Sequence, residues 1–232
     1  MTLPFSEYDA RHYVTLNVVT GYAEWSQSYD AKMGDELDID LLTKLETIQW
    51  SQIRKVIDLG CGTGRIGSWL KAQGVRSIIG VDICEAMLRQ AAVKGVYDNL
   101  IQADITSLPG VSYEQDLGIS ALAACHLSNL KALFQEANKI IHGDGMFILA
   151  DYHPFFLLKG IPTNFERPSG ESIAIENYVH LLSDHVQAAR QTNWRLVEMH
   201  ERLVDKTWVE KAPSMSKYLH QPISFVMVWQ RP

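Results

Sequence analysis

A glycine-rich segment at residues 58–64 (DLGCGTG) holds residue types suited to binding a nucleoside. An apolar, strand-like run leads into the segment and a helical pattern follows it. Glycines let the backbone adopt positive φ and let a ligand approach the main chain, and the helix that follows offers unpaired N–H groups. Three carboxylates, Asp58, Asp82 and Asp104, end successive strand-like runs. Because parallel strands end at one edge of a sheet, these acids predict a ligand site there.

Two nucleoside ligands compete for this pattern. Residues 62–67 (GTGRIG) fit the G-x-G-x-x-G pattern, so a nicotinamide-dependent oxidoreductase has to be considered. Asp58, two positions before Gly60, would repel a pyrophosphate but attract the ammonium or sulfonium group of S-adenosylmethionine (SAM), by roughly 1 to 4 kcal/mol. Asp82 suits ribose hydroxyls with either ligand, and Asp104 is placed to reach the adenine amino group. The charge pattern therefore favours SAM over NAD.

Several segments resemble the class I SAM-dependent methyltransferase family, and the resemblance covers most of the chain. They are residues 22–30 (YAEWSQSYD), 58–64, 80–88 (GVDICEAML), 102–105 (QADI), 116–127 (DLGISALAACHL) and 137–148 (ANKIIHGDGMFI), the last being similar to a helix, a glycine turn and the fifth strand. The resemblance implies cofactor contacts from Tyr22, Tyr29, Asp58, Gly60, Cys61, Gly62, Asp82, Ile83, Met87, Asp104, Ile105, Ser120 and Ala121. For the two tyrosines, plain packing is the alternative.

Two histidines are candidate catalytic residues. Methyl transfer is an in-line displacement that a protein accelerates by alignment and by excluding water. A base is needed only when the acceptor must lose a proton. His153 follows the fifth strand-like run and His126 the fourth, so both are expected at the ligand-binding edge. A structural role, bonded to backbone, is the alternative for each.

The segment from about His153 to Leu182 is rich in proline, glycine and aromatic residues. A connection of that length usually has a function, and we expect a lid over the carboxyl edge of the sheet. Its aromatic residues predict a cavity for an apolar or aromatic small molecule, with core packing as the alternative. The substrate-binding candidates, one of them further along the chain, are Phe155, Phe156, Tyr178, His180 and Trp208.

The order of strand and helix signals predicts an α/β fold. Apolar runs near residues 55–59, 77–81, 100–103, 117–122 and 146–151 alternate with helical patterns, and two late runs follow at 194–203 and 223–230. With the resemblance, this predicts a Rossmann-like doubly wound, seven-stranded sheet that is mostly parallel with an antiparallel last strand. One domain is expected, made of a helical cap (1–52), a SAM-binding core (53–151), a lid or substrate insertion (152–182) and a C-terminal helix and strands (183–232).

Composition limits the partners of the chain. Its 232 residues are 47% hydrophobic with a formal net charge of −6, which excludes global disorder and argues against nucleic acid as the main partner. The three widely spaced cysteines predict neither a disulfide framework nor a metal site. The first fifteen residues lack the apolar run of a signal peptide, and no apolar stretch is long enough to span a membrane. We expect a cytoplasmic protein, a monomer or weak dimer, without membrane or nucleic-acid partners.

The expected activity is methyl transfer from SAM to a small organic acceptor, leaving S-adenosylhomocysteine (SAH). O-methylation is favoured, with N- or C-methylation of a comparable molecule as the alternative. An NAD-dependent oxidoreductase and a SAM-binding protein without catalysis are less favoured readings of the same segments.

Overall fold

Twelve strands and nine α-helices make up the described part of the chain, residues 3–108 and 114–231 of the computed structural model. The strands are β1 (Leu3–Pro4), β2 (Val14–Leu16), β3 (Lys55–Leu59), β4 (Ser77–Asp82), β5 (Asn99–Gln102), β6 (Gln115–Ala121), β7 (Ile141–Tyr152), β8 (Asn164–Glu166), β9 (Ser172–Ile175), β10 (Tyr178–Val179), β11 (Arg195–Leu203) and β12 (Pro222–Gln230). The helices are α1 (Val18–Trp25), α2 (Tyr29–Lys32), α3 (Ile39–Leu42), α4 (Arg65–Ala72), α5 (Glu85–Lys94), α6 (Leu130–Ile140), α7 (Pro154–Leu158), α8 (Leu182–Gln191) and α9 (Lys206–Lys211).

A seven-stranded sheet with the order β11-β12-β7-β6-β3-β4-β5 forms the centre of the fold. The strands from β5 to β7 pair in parallel, and β12 is antiparallel to both of its neighbours. This confirms the predicted fold, including the antiparallel last strand. After β3 the chain adds β4 and β5 on one side and then β6 on the other, so the order reverses between β3 and β6. A crevice at the carboxyl ends of these two strands is where ligands bind in such sheets.

Both faces of the sheet are buried, which explains the nearly continuous apolar runs of the parallel strands. Four of the five residues of β3 are buried. Helix α6 covers one face with Leu130, Leu133, Phe134 and Ala137, spaced three or four residues apart. The core thus holds the strand ends in fixed positions at the crevice.

The segment before the sheet is less helical than the sequence pattern predicts. Strands β1 and β2 lie within the expected cap, and the apolar pattern from Leu37 to Ile48 yields only the single turn α3. Strand β2 pairs with β9, and β1 with β10, so the N-terminal segment and the segment after β7 form joint sheets. The segment expected to form the lid therefore shares its sheets with the segment expected to form the cap. Strand β2, which is rich in β-branched residues, pairs with the edge of β9.

Strand β7 begins at Ile141, where a glycine turn was expected before Met146. The register against β6 shifts between Gln115, which faces Ile141, and Leu117, which faces Met146. Residues 142–145 therefore lie opposite the single residue Asp116, so β7 carries three extra residues inside the strand rather than a turn before it. A Cβ atom at Gly145 would lie 2.9 Å from the Asp116 carbonyl oxygen, so this close approach of two strands requires glycine.

None of the helices in residues 3–108 and 114–231 combines the length and the apolar character needed to cross a bilayer.

Candidate active site

The glycine-rich turn after β3 has the backbone geometry that its sequence predicts. Gly60, Gly62 and Gly64 have φ angles of 80°, 53° and 84°, in the left-handed region that favours glycine. A Cβ atom at Gly60 would lie 2.5 Å from the Cβ of Ala123, whereas one at Gly62 would meet no atom within 4 Å. The turn is thus packed against the β6 side at Gly60 and leaves open space beside Gly62.

Asp82, at the end of β4, faces this turn. Its Oδ2 accepts a hydrogen bond from the Gly62 N–H and its Oδ1 from the Cys84 N–H, both at 2.8 Å. Burial raises the pKa of the carboxyl, and these backbone donors partly offset that effect. Each oxygen keeps a second lone-pair direction, so the oriented carboxylate is able to accept two further hydrogen bonds, as a ribose diol requires.

Asp58 lies behind the turn rather than on the cavity surface. The Tyr97 hydroxyl donates to its Oδ2 at 2.7 Å, while its buried Oδ1 contacts no hydrogen-bond donor in the described residues. Burial raises the pKa of Asp58 to about 7, against the opposing effect of the Tyr97 hydrogen bond. A buried acceptor with an unused oxygen is an anomaly that a nearby cation would relieve.

A cavity of about 190 Å³ lies over the carboxyl ends of the central strands, under a roof formed by α1 and α2. Its lining consists of Val18, Tyr22, Tyr29, Gly60, Gly62, Asp82, Ile83, Met87, Ala103, Asp104, Ile105, Ala121, Leu122, Ala123, His126 and Leu127. The acidic side chains in this lining are Asp82 and Asp104, and no lysine or arginine is among the described residues that form it. The cavity wall is mostly apolar, and its acidic side chains make the electrostatic potential inside it negative, which suits a ligand that carries a positive charge.

One side of the cavity carries a tyrosine–histidine pair. The Tyr22 hydroxyl lies 2.8 Å from Nε2 of His126, and Nδ1 of His126 lies 2.6 Å from the Glu176 carbonyl oxygen. Burial lowers the pKa of His126 to about 4 and raises that of Tyr22 well above 10, so both side chains are neutral near pH 7. Tyr22 comes from α1, His126 from the turn after β6 and Glu176 from the loop after β9, so three elements meet here.

Most of the predicted cofactor contacts meet at this cavity. The lining includes Tyr22, Tyr29, Gly60, Gly62, Asp82, Ile83, Met87, Asp104, Ile105 and Ala121. Three others lie outside it: Asp58 is buried against Tyr97, Cys61 is buried in the turn, and Ser120 is buried within β6. Roles for these three remain predictions.

Of the two predicted catalytic histidines, the structure brings only His126 to the cavity. His153 is the residue before α7, where its Nδ1 accepts from the Phe155 N–H at 3.2 Å and its Nε2 lies 2.9 Å from Oε1 of Glu201. Both ring nitrogens are therefore used by neighbours, and the side chain is not part of the lining. The position matches a helix-capping role.

None of the predicted substrate contacts belongs to the lining. Phe156 and Trp208 are buried in a cluster with Val204 and Ile223, against which Phe155 also packs, so these aromatics form a satellite core. Tyr178 donates to Oε1 of Glu176. His180 Nε2 lies 2.6 Å from the carbonyl oxygen of Leu127, a lining residue, and so supports the cavity wall.

Five lining residues were not named as candidate contacts: Val18, Ala103, Leu122, Ala123 and Leu127. Four of them lie within residues 102–105 and 116–127, two segments that carry the resemblance, so the segments were recognised but these positions were not singled out. Val18 precedes Tyr22 by one helical turn on α1, and that i, i+4 spacing was the available signal.

The residues of the cavity fit SAM. The open space beside Gly62 allows a ligand to approach the main chain, and Asp82 presents two oriented acceptor oxygens for a ribose. Ile83 and Met87 supply apolar contacts for an adenine, and Asp104 lies at the end of β5 beside them. The Asp58 carboxyl, with its unused Oδ1, lies behind the turn and supplies negative charge there when it is ionised. These donors and acceptors match a cationic nucleoside better than a pyrophosphate.

Comparisons with known proteins agree with this geometry. A family described as "Methyltransferase domain" matches residues 57–149. An uncharacterized methyltransferase of Bacillus pumilus is 28% identical over 138 residues, which are 56% of this chain and 64% of that protein. A malonyl-[acyl-carrier protein] O-methyltransferase of Hamiltonella defensa is 26% identical over 135 residues, covering 57% of this chain and 51% of that protein. The matched segments thus span less than two thirds of either relative.

A solved structure extends the similarity to nearly the whole fold. The SAM-dependent methyltransferase from Mesorhizobium loti superposes with a TM-score of 0.64 at 19% sequence identity, covering 92% of this chain and all of that one. At this identity the likeness concerns the fold, and the matched domain at residues 57–149 adds the sequence pattern of the cofactor site. Residues 57–149 thus match a methyltransferase domain, within a fold that resembles that of solved SAM-dependent methyltransferases.

Proposed function

We propose that this chain transfers the methyl group of SAM to an oxygen atom of a small organic molecule. The observation that carries the proposal is the roofed cavity over the β3–β6 crevice, which brings the oriented Asp82 carboxylate and the Tyr22–His126 pair into one space. SAM supplies an electrophilic methyl group when bound. The protein's part is to hold the nucleoside, align the acceptor and exclude water.

The cofactor contacts follow from the side chains around the cavity. Asp82 accepts from ribose hydroxyls, Ile83 and Met87 pack on the adenine, and Asp104 accepts from its amino group. Asp58 stabilises the positive end of the cofactor through its field, since it has no surface on the cavity.

Oxygen as the acceptor atom is supported by two observations. The Hamiltonella relative is named an O-methyltransferase. The cavity also holds a neutral imidazole in contact with a phenol, and a hydroxyl acceptor needs a group that takes its proton whereas a neutral amine does not.

Calorimetry with SAH tests the cofactor assignment. We expect saturable binding by the wild-type chain and about a tenfold or greater loss of affinity in Asp82→Asn, because the variant loses charge-assisted hydrogen bonds. Asp144→Asn is the matched control, since this exposed carboxylate lies outside the cavity and its loss should leave affinity unchanged. Absence of saturable heat with the wild-type chain would rule out the proposal.

Tritiated SAM offered with fractionated small-molecule extract then tests catalysis. Label is expected in an organic product whose mass identifies the methylated atom. SAH binding without any labelled product would favour a SAM-binding protein without catalysis, and label on nitrogen or carbon would correct the acceptor atom.

A further inference from the structure

The hydrogen bonds of His126 fix which of its nitrogens carries the proton. A carbonyl oxygen can only accept, so the 2.6 Å contact with the Glu176 carbonyl requires an N–H at Nδ1. The amide nitrogen of Asn177 also lies 3.4 Å from Nδ1, but it has a nearer acceptor in Thr163 Oγ1, at 3.2 Å. The long contact with Asn177 therefore does not displace the proton from Nδ1. Nε2 of the neutral ring is therefore an acceptor, and the Tyr22 hydroxyl donates its proton to it.

This direction limits what Tyr22 is able to offer a ligand. Its single proton is directed to His126, so the oxygen presents only lone pairs to the cavity. A group that meets this oxygen must therefore bring its own proton. A hydroxyl does so, whereas an ionised carboxylate would place lone pairs against lone pairs.

The charges around the cavity point the same way. Two cations near the roof are both paired: Arg65 with Asp38 at 3.1 Å and Lys94 with Asp30 at 2.7 Å. Lys32, the last residue of α2, is exposed and lies outside the lining. The lining itself contributes the acidic side chains Asp82 and Asp104 and no basic side chain other than His126 among the described residues. A carboxylate acceptor entering this space would be desolvated without a protein cation to pair with, which is costly.

We propose that the methyl acceptor is an uncharged hydroxyl that donates its hydrogen bond to Tyr22, and that the Tyr22–His126 pair takes its proton. This inference rests on the proposed function and narrows it. The acceptor oxygen forms a bond to the methyl carbon as the carbon–sulfur bond breaks, and the sulfur keeps that electron pair. The acceptor proton passes to Tyr22 Oη while the Tyr22 proton passes to Nε2 of His126. Once the methylated product has left, the imidazolium returns a proton to Tyr22 Oη, and Tyr22 passes a proton to water that enters the cavity.

The inference separates this chain from its relative named for a malonyl acceptor, whose methylated group is an acid. It assigns Tyr22 and His126 a role in acceptor selection as well as in proton transfer. The specificity would then lie in the direction of one hydrogen bond, which depends on the Glu176 carbonyl.

The first experiment compares two probes of one skeleton, 2-naphthol and 2-naphthoate, with malonyl-CoA as a further carboxylate. Ligand-observed NMR in the SAH complex should show 2-naphthol binding at least tenfold more tightly than 2-naphthoate. Methyl transfer from labelled SAM, where it occurs, should be confined to the hydroxyl probe. Equal binding of the naphthalene pair, binding of neither, or methylation of either carboxylate would overturn the inference. Methylation of a carboxylate would still support the proposed function, whereas failure of SAH to bind would remove that function itself.

The second experiment tests the proton path with variants that keep the packing. Tyr22→Phe and His126→Gln should each lower kcat by about 100-fold or more, the usual contribution of proton transfer, and the double variant should be no worse than either. Glutamine at 126 is able to accept from Tyr22 but not to take its proton. SAH affinity, measured by calorimetry, should change far less than kcat in His126→Gln.

Tyr13→Phe is the control for loss of a tyrosine hydroxyl, since Tyr13 lies outside the lining. For a substrate identified by labelling, full activity of His126→Gln, or additive losses in the double variant, would contradict a shared proton path. Loss of 2-naphthol binding in Tyr22→Phe is the corresponding readout without turnover, and unchanged binding there would overturn the inference.

Discussion

Tyr97 explains the spacing of glycines that resembles a dinucleotide-binding pattern. A Cβ atom at Gly64, Gly67 or Gly80 would lie 2.9, 2.4 or 2.9 Å from the Tyr97 ring, closer than non-bonded carbon atoms pack. These glycines make room for a tyrosine whose hydroxyl donates to Asp58. Two of the three glycines in the literal G-x-G-x-x-G pattern, Gly64 and Gly67, are therefore required for packing against Tyr97, and the sequence around Asp58 was the better guide to the ligand.

Removing the Tyr97 hydroxyl should destabilise the chain in a pH-dependent way. Tyr97→Phe keeps the ring but leaves the buried Asp58 carboxyl without its donor, which costs about 1–3 kcal/mol when that group is ionised. The pKa of Asp58 is about 7 in the folded chain, and the variant raises it further because the hydrogen bond lowers it. The loss in free energy of unfolding should therefore be larger at pH 8 than at pH 6, where the carboxyl is largely protonated, as measured by urea unfolding.

Tyr8→Phe provides a comparison at a tyrosine in a separate cluster with Phe5. Its effect should be the same at the two pH values. An equal loss at pH 6 and pH 8 in Tyr97→Phe would show that the hydroxyl acts through packing instead of through the Asp58 charge.

At the scale of elements, the sequence predicts the central sheet better than it predicts the small sheets that join the N-terminal segment to the segment after β7. Strands β3 and β4 were predictable because each is an apolar run that ends at a glycine or an acid, and α4 and α6 because each has an apolar face. The small sheets were not, because β2 and β10 are two or three residues long and gain their partners only through pairing distant in sequence. The lid aromatics were misplaced for a related reason: composition cannot distinguish a cavity wall from the satellite core in which Phe156 and Trp208 lie.

Polar contacts join the roof to the sheet. In α2, Asp30 accepts from the Thr63 hydroxyl of the glycine turn and pairs with Lys94 of α5 at 2.7 Å. Arg65, at the start of α4, binds the buried Asp38 just before α3. The segment that carries Tyr29 is thus tied to the same turn that forms the cofactor site, so cofactor binding and roof closure should be coupled.

Asp30→Asn should loosen the roof without unfolding the chain. The variant loses the ion pair with Lys94 and weakens the contact with Thr63; an exposed pair of this kind is worth only about 0–1 kcal/mol in global stability. Hydrogen exchange of the amides in α1 and α2 should increase, and SAH affinity should fall by roughly twofold to tenfold. Glu85→Gln is the matched control, because it removes an exposed carboxylate whose ion pair with Arg89 lies within α5. Identical exchange in the two variants would show that Asp30 does not hold the roof.

Across the whole molecule, buried titratable groups set opposing pH dependences. Burial raises the pKa of Asp58 to about 7 and that of Asp151 to about 6, so the folded chain holds protons that the unfolded chain releases above pH 4. These two groups favour folding as the pH falls toward 4. Burial lowers the pKa of His126 to about 4 and of His185 to about 3, so the unfolded chain takes up protons first and acid disfavours folding. The pH dependence of the wild-type free energy of unfolding is the difference between the contributions of these two sets of groups. A variant that removes one group isolates the contribution of that group, which the wild-type curve does not.

His185 offers the cleanest test of this balance. It is buried against Phe225 and His180, outside the cavity lining. Between pH 7.5 and pH 5 its protonation in the unfolded chain should remove about 2 kcal/mol of wild-type stability, since each unit below pH 6.5 costs about 1.4 kcal/mol per group. His185→Gln and His185→Phe lack this loss, so each should gain about 2 kcal/mol relative to wild type over that range, whatever its absolute stability. Urea unfolding at the two pH values measures the change. A constant difference between wild type and both variants would mean that His185 titrates equally in the folded and unfolded chain. The acid sensitivity of this fold would then have to come from other groups whose pKa is lowered in the fold, among them His126, His180 and Glu198.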